Sequence, residues 1–207
     1  MISKKKHKSE LDGEGNEAMS NLPDIRELRI PDYLTELASD SLFPSAGAAA
    51  AITGAQAAAL FAMVCRVNLR KLRGAKEGKC SGDFDSQQLA FWERSLELAS
   101  SWTKRFLELA QEDGVAYREV VEGKPEGASH SIEVPLEIGR RCGDLAELIE
   151  TAMPLSYPPV RPDAETSLCL AQGTKKAALA IARSNLILLK QKSERKYYFN
   201  QIEELSK

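Results

Sequence analysis

The chain has 207 residues, 28% of them charged and 43% hydrophobic, with a net charge of −2 and a pI near 5.9. Those values fit one soluble domain with a sizeable core and argue against a dedicated nucleic-acid binder, whose surface would be strongly basic.

Residues 1–25 are polar and lysine-rich, with Lys4, Lys5, Lys6 and Lys8 around His7. They hold too little apolar surface to order themselves, so a disordered extension is expected, with one helical domain over 26–207. No apolar run follows the basic residues, so no signal peptide is expected.

A short helix is expected over 31–39, with Pro31 in its first turn. Residues 42–64 then read LFPSAGAAAAITGAQAAALFAMV, roughly half alanine and without a charge. The run is long enough to span a membrane. Alanine adds little insertion energy, however, and Thr53 and Gln56 sit in the middle, so a buried helix over about 46–73 is the better reading. Gly47, Ala51, Ala55 and Ala59 recur every fourth residue, as do Ala50, Gly54, Ala58 and Ala62. Two such faces let neighbouring backbones approach closely. Gly54 in mid-helix costs about 1 kcal/mol relative to alanine, which implies a close contact there. The turn Pro44–Gly47 leads into this helix, where free amides and the positive end of the dipole suit a carbonyl or anionic group. Gly74 marks the expected stop, followed by a Gly/Lys loop over 74–83.

Apolar residues Leu89, Phe91, Leu96, Ala99, Trp102, Phe106 and Leu109 predict a helix over about 85–112, and a second piece is expected over 113–122. Asp113 falls at that junction, next to Glu112; a capping role and an acid–base role both fit it. Trp92, Trp102 and Phe106 are expected in the core. After a loop at 122–127, His130 is expected to be solvated. A helix follows over about 131–153, with Pro135 in its first turn. The proline-rich stretch 153–162 is expected to be extended. A long helix over 163–191 and a charged helix over 193–206 close the chain. Asp163 could cap the former, and Asn185 in its apolar face must bond a ligand or a backbone carbonyl. Lys71 with Arg66 or Arg70 could hold a carboxylate, or simply end its helix in solvent. Cys65, Cys80, Cys142 and Cys169 show no pairing or zinc spacing, no metal site is expected, and Cys65 and Cys169 are expected as buried thiols in a reducing cytoplasm. No segment alternates as a strand does. The fold is therefore expected to be all-α, five to six main helices around the central small-residue helix.

The order of these features resembles the cyclodeaminase/cyclohydrolase family. Pro44, Ser45, Ala46, Gly47 and Ala48 match its Pro-Gly-Gly-Gly-Ser turn, with Met63 and Val64 ending the helix core. GluAspGlyValAlaTyr at 112–117 matches an Asp-x-x-Ala-aromatic element. Val134 and Pro135 match a Val-Pro, Asp163 falls on a Ser-Asp-Ala helix start, and Asn185 and Leu186 match a late asparagine-leucine. The family has glycines where Ser45 and Ala46 stand, and threonine and glycine where Asn68 and Arg70 stand. The resemblance implies an all-helical cytoplasmic homodimer acting on a tetrahydrofolate derivative, with no tightly bound cofactor. It implies either loss of ammonia from 5-formiminotetrahydrofolate or hydrolysis of 5,10-methenyltetrahydrofolate. Asp113 would be catalytic, and Pro44, Ser45, Ala46, Gly47, Lys71, Asp163 and Asn185 would bind the substrate. A non-catalytic folate- or partner-binding dimer of the same fold is the alternative, motivated by the altered turn.

Overall fold

The computed structural model describes residues 22–76 and 83–207. Among them are six α-helices and no strand: α1 Ile30–Leu37, α2 Ala46–Lys76, α3 Asp83–Val121, α4 Gly127–Ala152, α5 Arg161–Asn185 and α6 Lys192–Leu205. The expected extension lies largely outside the described residues, as does most of the Gly/Lys loop.

Helices α2 to α5 form the bundle. Helix α2 packs against α3, α4 and α5, and α6 lies across α4 and α5. The alanine run is therefore at the centre. Ala48, Ala51, Ala57, Ala58, Phe61, Val64 and Cys65 are fully buried. By length and hydropathy α2 could cross a membrane, yet 61% of its most apolar stretch is buried inside the protein. Its small side chains serve contact with other helices. Trp92 and Phe106 are core residues, as expected.

The α2–α3 contact is antiparallel and its register is visible in two glycines. A Cβ on Gly54 would lie 3.0 Å from the Phe106 ring, and a Cβ on Gly47 would run into the Asp113 carboxylate. Positions 47 and 54 are seven apart, as are 106 and 113, so the same two-turn spacing repeats along both helices. The contact inferred at Gly54 is this ring.

Several expectations are corrected. Residues 85–122 are one helix rather than two: α3 runs unbroken through Asp113 and Gly114. The Asp-Gly pair looked like a break on propensity, but Gly114 lies under the buried Phe43 ring, where a Cβ would be only 2.5 Å from Phe43 Cε2. Tertiary packing overrides the local preference. Helix α2 continues past Gly74. His130 is helical and half-buried, its Nδ1 2.7 Å from Glu119 Oε2. Residues 153–160 contain two 3-10 turns, Met153–Leu155 and Pro158–Val160, each with a proline in its first two positions, whose fixed φ suits a tight turn. Cys65 is buried but Cys169 is exposed.

Pro135 lies inside α4 rather than at its start. Proline has no N–H, so the carbonyl four residues earlier, on Ser131, loses its helical partner. The Asn185 side-chain amide donates to that Ser131 oxygen at 2.7 Å. Ser131 is 8% exposed, so water is a poor substitute. Asn185→Ala is expected to cost about 1–3 kcal/mol by leaving this carbonyl unpaired. The cost should shrink in a Pro135→Ala background, where the backbone resupplies the bond. Chemical denaturation of the double-mutant cycle measures this, and strict additivity would refute the coupling.

Candidate functional site

The site grows from the start of α2. The chain reverses after α1 through a cis Phe43–Pro44 peptide and enters the helix at Ser45, whose carbonyl accepts the first helical bond from Ala49 N–H at 2.9 Å. Ser45 is thus the N-cap residue. An N-cap serine normally turns its hydroxyl oxygen to the third amide of its own helix. Here that amide, on Ala48, donates to Asp113 Oδ2 at 3.0 Å instead. The Ser45 hydroxyl donates to the same Oδ2 at 3.1 Å. A carboxylate from the C-terminal third of α3 has replaced the serine as the cap of α2.

Gly47 makes this possible. It is one of the two residues between the donors, and any side chain there would occupy the space of the carboxylate. The two oxygens of Asp113 differ as a result. Oδ2 accepts both bonds, while Oδ1 accepts none among the described residues. The amides of Ala46 and Gly47 also have no acceptor among those residues.

Asp113 is half-buried, and burial raises its pKa above the ordinary carboxylate range; the bonds from Ser45 and Ala48 pull the other way without cancelling the effect. Its neighbour Glu112 faces elsewhere. Arg105 donates to both Glu112 oxygens at 2.6 and 3.0 Å, and to both Glu137 oxygens on α4 at 2.9 Å. With Arg141 adding a further bond, Arg105 chiefly drives the Glu137 pKa down to about 2. Glu112 and Glu137 are both paired with Arg105, whereas the bonds to the Asp113 side chain come from Ser45 and Ala48 alone among the described residues.

The residues named from the sequence divide between the two ends of the bundle. Pro44, Ser45, Ala46, Gly47 and Asp113 converge at one end. At about 1.5 Å of rise per residue, Lys71 lies about 36 Å along α2 from Gly47. Lys71 there sits with Nζ 4.7 Å from the centre of the Tyr157 ring. Tyr157 is fixed by its own N–H, which donates to Asn68 Oδ1 at 2.7 Å. Asp163 occupies the first turn of α5, where a negative charge suits the helix dipole, and no side chain caps that turn. Asn185, at the other end of α5, serves the Ser131 carbonyl. Within one chain, neither Lys71 nor Asp163 reaches Asp113. Phe43 and Gly114, which seat the turn on α3, escaped the sequence reading; the only signal was a glycine directly after the acidic residue.

A family model described as formiminotransferase-cyclodeaminase matches residues 29–204. No match is found among individually curated proteins. Among solved structures, the formiminotetrahydrofolate cyclodeaminase of Thermotoga maritima is similar over 88% of this chain and 90% of its own, with 21% identity and a TM-score of 0.76.

Gly47→Ala is expected to displace Asp113 and break both capping bonds. A loss of about 1–3 kcal/mol in denaturation is expected. Unchanged stability would mean that the carboxylate is not held in this way.

Proposed function

The chain belongs to the formiminotransferase-cyclodeaminase family, and on that premise we propose that it is a folate one-carbon enzyme in which Asp113 moves the proton. The observation that carries this reading is the unequal treatment of the two carboxylate oxygens. Oδ2 is fixed by Ser45 and Ala48, so the side chain cannot swing. Oδ1 is left to take up and release a proton, and burial favours the protonated form.

In the cyclodeaminase reaction, N10 of 5-formiminotetrahydrofolate attacks the formimino carbon and closes the ring. With the formimino nitrogen already protonated in the substrate, as in an amidinium, addition leaves an amino group on that carbon; N10 must lose a proton, and the amino group must gain one to leave as ammonia. A single carboxyl between the two nitrogens serves both transfers: Oδ1 takes the N10 proton and returns it to the departing amine. The product is 5,10-methenyltetrahydrofolate, and the carboxylate ends as it began. A carboxyl whose pKa burial has raised holds a proton more readily, which suits a group that must act as base and then as acid. Hydrolysis of 5,10-methenyltetrahydrofolate would use the same oxygen as base toward water, and is the second reaction to assay.

Asp113→Asn keeps an oxygen for the capping bonds and removes the exchangeable proton. The variant is expected to fold and to lose about 100-fold or more in turnover of 5-formiminotetrahydrofolate, followed by absorbance. Burial disfavours the ionised carboxylate, so the wild-type protein should lose some stability as pH rises through the Asp113 pKa. The asparagine variant should not. Full activity in Asp113→Asn would reject the assignment, and folate binding without turnover in the wild type would favour the non-catalytic reading.

Ser45→Ala removes one donor from the charged carboxylate. The pKa of Asp113 should rise further, so the corresponding limb of the pH–rate profile is expected to move up by about half to one pH unit. A limb that stays in place would show that the hydroxyl does not tune the acid.

A further inference from the structure

A hollow of about 610 Å³ lies between the C-terminal third of α2 and the facing part of α3, lined by Arg66, Leu69, Arg70, Arg73, Glu93 and Leu96 among its residues. Leu69 is buried and Leu96 half-buried, so the floor is apolar and the rim mostly cationic. A second hollow, lined by Val67, Arg70, Lys71 and Gly74, adjoins it across Arg70. Arg66 lies about 30 Å along α2 from Gly47, so this place is separate from the Asp113 carboxylate.

Arginine in this protein is usually engaged. Arg26, Arg29, Arg105, Arg141 and Arg183 each pair with a carboxylate. Arg73, in this hollow, donates to Glu93 Oε1 of α3 at 2.9 Å. Arg66 and Arg70 precede it on the same face of α2, at helical spacing. Both are exposed, and neither has a hydrogen-bond or ion-pair partner among the described residues. The helix dipole favours cations only in the last turn, and Arg66 lies well before the end of α2. The row therefore shows its chemistry once, through Glu93, and repeats it twice with no acid opposite. A guanidinium matches a carboxylate in shape as well as in charge.

We propose that this hollow is a docking site for an acidic helical segment of a partner protein, with two carboxylates one turn apart on Arg66 and Arg70 and an apolar side chain over Leu69 and Leu96. The two arginines are four residues apart, about 6 Å along the axis. Acidic side chains at i and i+4 of an approaching helix have the same repeat. A helix laid in a groove is held by apolar anchors, with the flanking charges selecting the partner. One exposed ion pair contributes little, so the two arginines and the floor act together. The protein's own charge disfavours a nucleic acid. The net charge is −2 and Glu93 stands within the hollow, so a continuous run of phosphates meets repulsion that a short acidic helix escapes. The inference does not depend on the folate reading.

The probe is a fluorescein-labelled helical peptide with glutamates at i and i+4 and leucine on the same face, followed by fluorescence anisotropy at low salt. Arg66→Glu and Arg70→Glu are each compared with wild type and with Arg140→Glu. The last makes the same charge change at an exposed, unpaired arginine of α4. The expected result is saturable binding to the wild type, weakened about tenfold or more by Arg66→Glu and by Arg70→Glu, and by no more than about twofold by Arg140→Glu. Melting temperatures should be unchanged throughout. A lowered value for Arg66→Glu or Arg70→Glu would mean that the arginine is engaged within the fold, and would overturn the proposal. Absence of binding to the wild type would do the same. So would equal binding of a peptide whose glutamates are moved off one face, or equal or tighter binding of a single-stranded oligonucleotide of the same charge. Displacement of the peptide by 5-formyltetrahydrofolate would assign the hollow to the substrate and also overturn it.

Discussion

The constraint on which this structure turns is that the buried amide of Ala48, in the first turn of α2, must find an acceptor inside the protein. That amide emerges against α3, beside Asp113. The protein meets the need with a carboxylate from α3 rather than with the serine at hand. That choice fixes the rest: Gly47 must lack a side chain, Gly114 must admit Phe43, and the antiparallel register of α2 on α3 follows two turns further along at Gly54 and Phe106.

The same choice links stability to chemistry. A cap needs only an acceptor, and Oδ2 supplies it. The carboxylate has a second oxygen, and burial raises the tendency of the group to hold a proton. A residue recruited to satisfy a backbone amide is thereby left with a second, unbonded oxygen in a fixed position.

Much of the architecture was legible because the physics is local. Helical spacing of apolar residues, and alanines at every fourth position, point to a bundle around α2 without reference to any contact. Gly54 could be flagged for the same reason, since a glycine in mid-helix is unfavourable unless something presses on it. The failures are where a distant residue decides. Asp113 and Gly114 read as a break because the Phe43 ring that occupies the glycine's place is some seventy positions away. His130 read as solvated because its partner Glu119 sits on another helix. That Lys71 and Asp113 lie at opposite ends of the bundle within one chain was likewise not legible, because order along a chain carries no distance. The Pro44–Gly47 turn was placed correctly next to Asp113, yet its serine was read as replacing a glycine, with no hint that its hydroxyl would hold the acid.

The gap that Pro135 opens in α4 has an evolutionary reading. Val134-Pro135 and Asn185-Leu186, about fifty residues apart, were noted separately as likenesses to one family. The bond from Asn185 to the Ser131 oxygen makes them two halves of one joint. A lineage that replaced the proline would free the asparagine to drift, and one that lost the asparagine first would carry a defect until the proline changed. Among relatives, the two positions should therefore be inherited as a pair, and the pairing would trace common descent even where the remainder of the sequence has diverged.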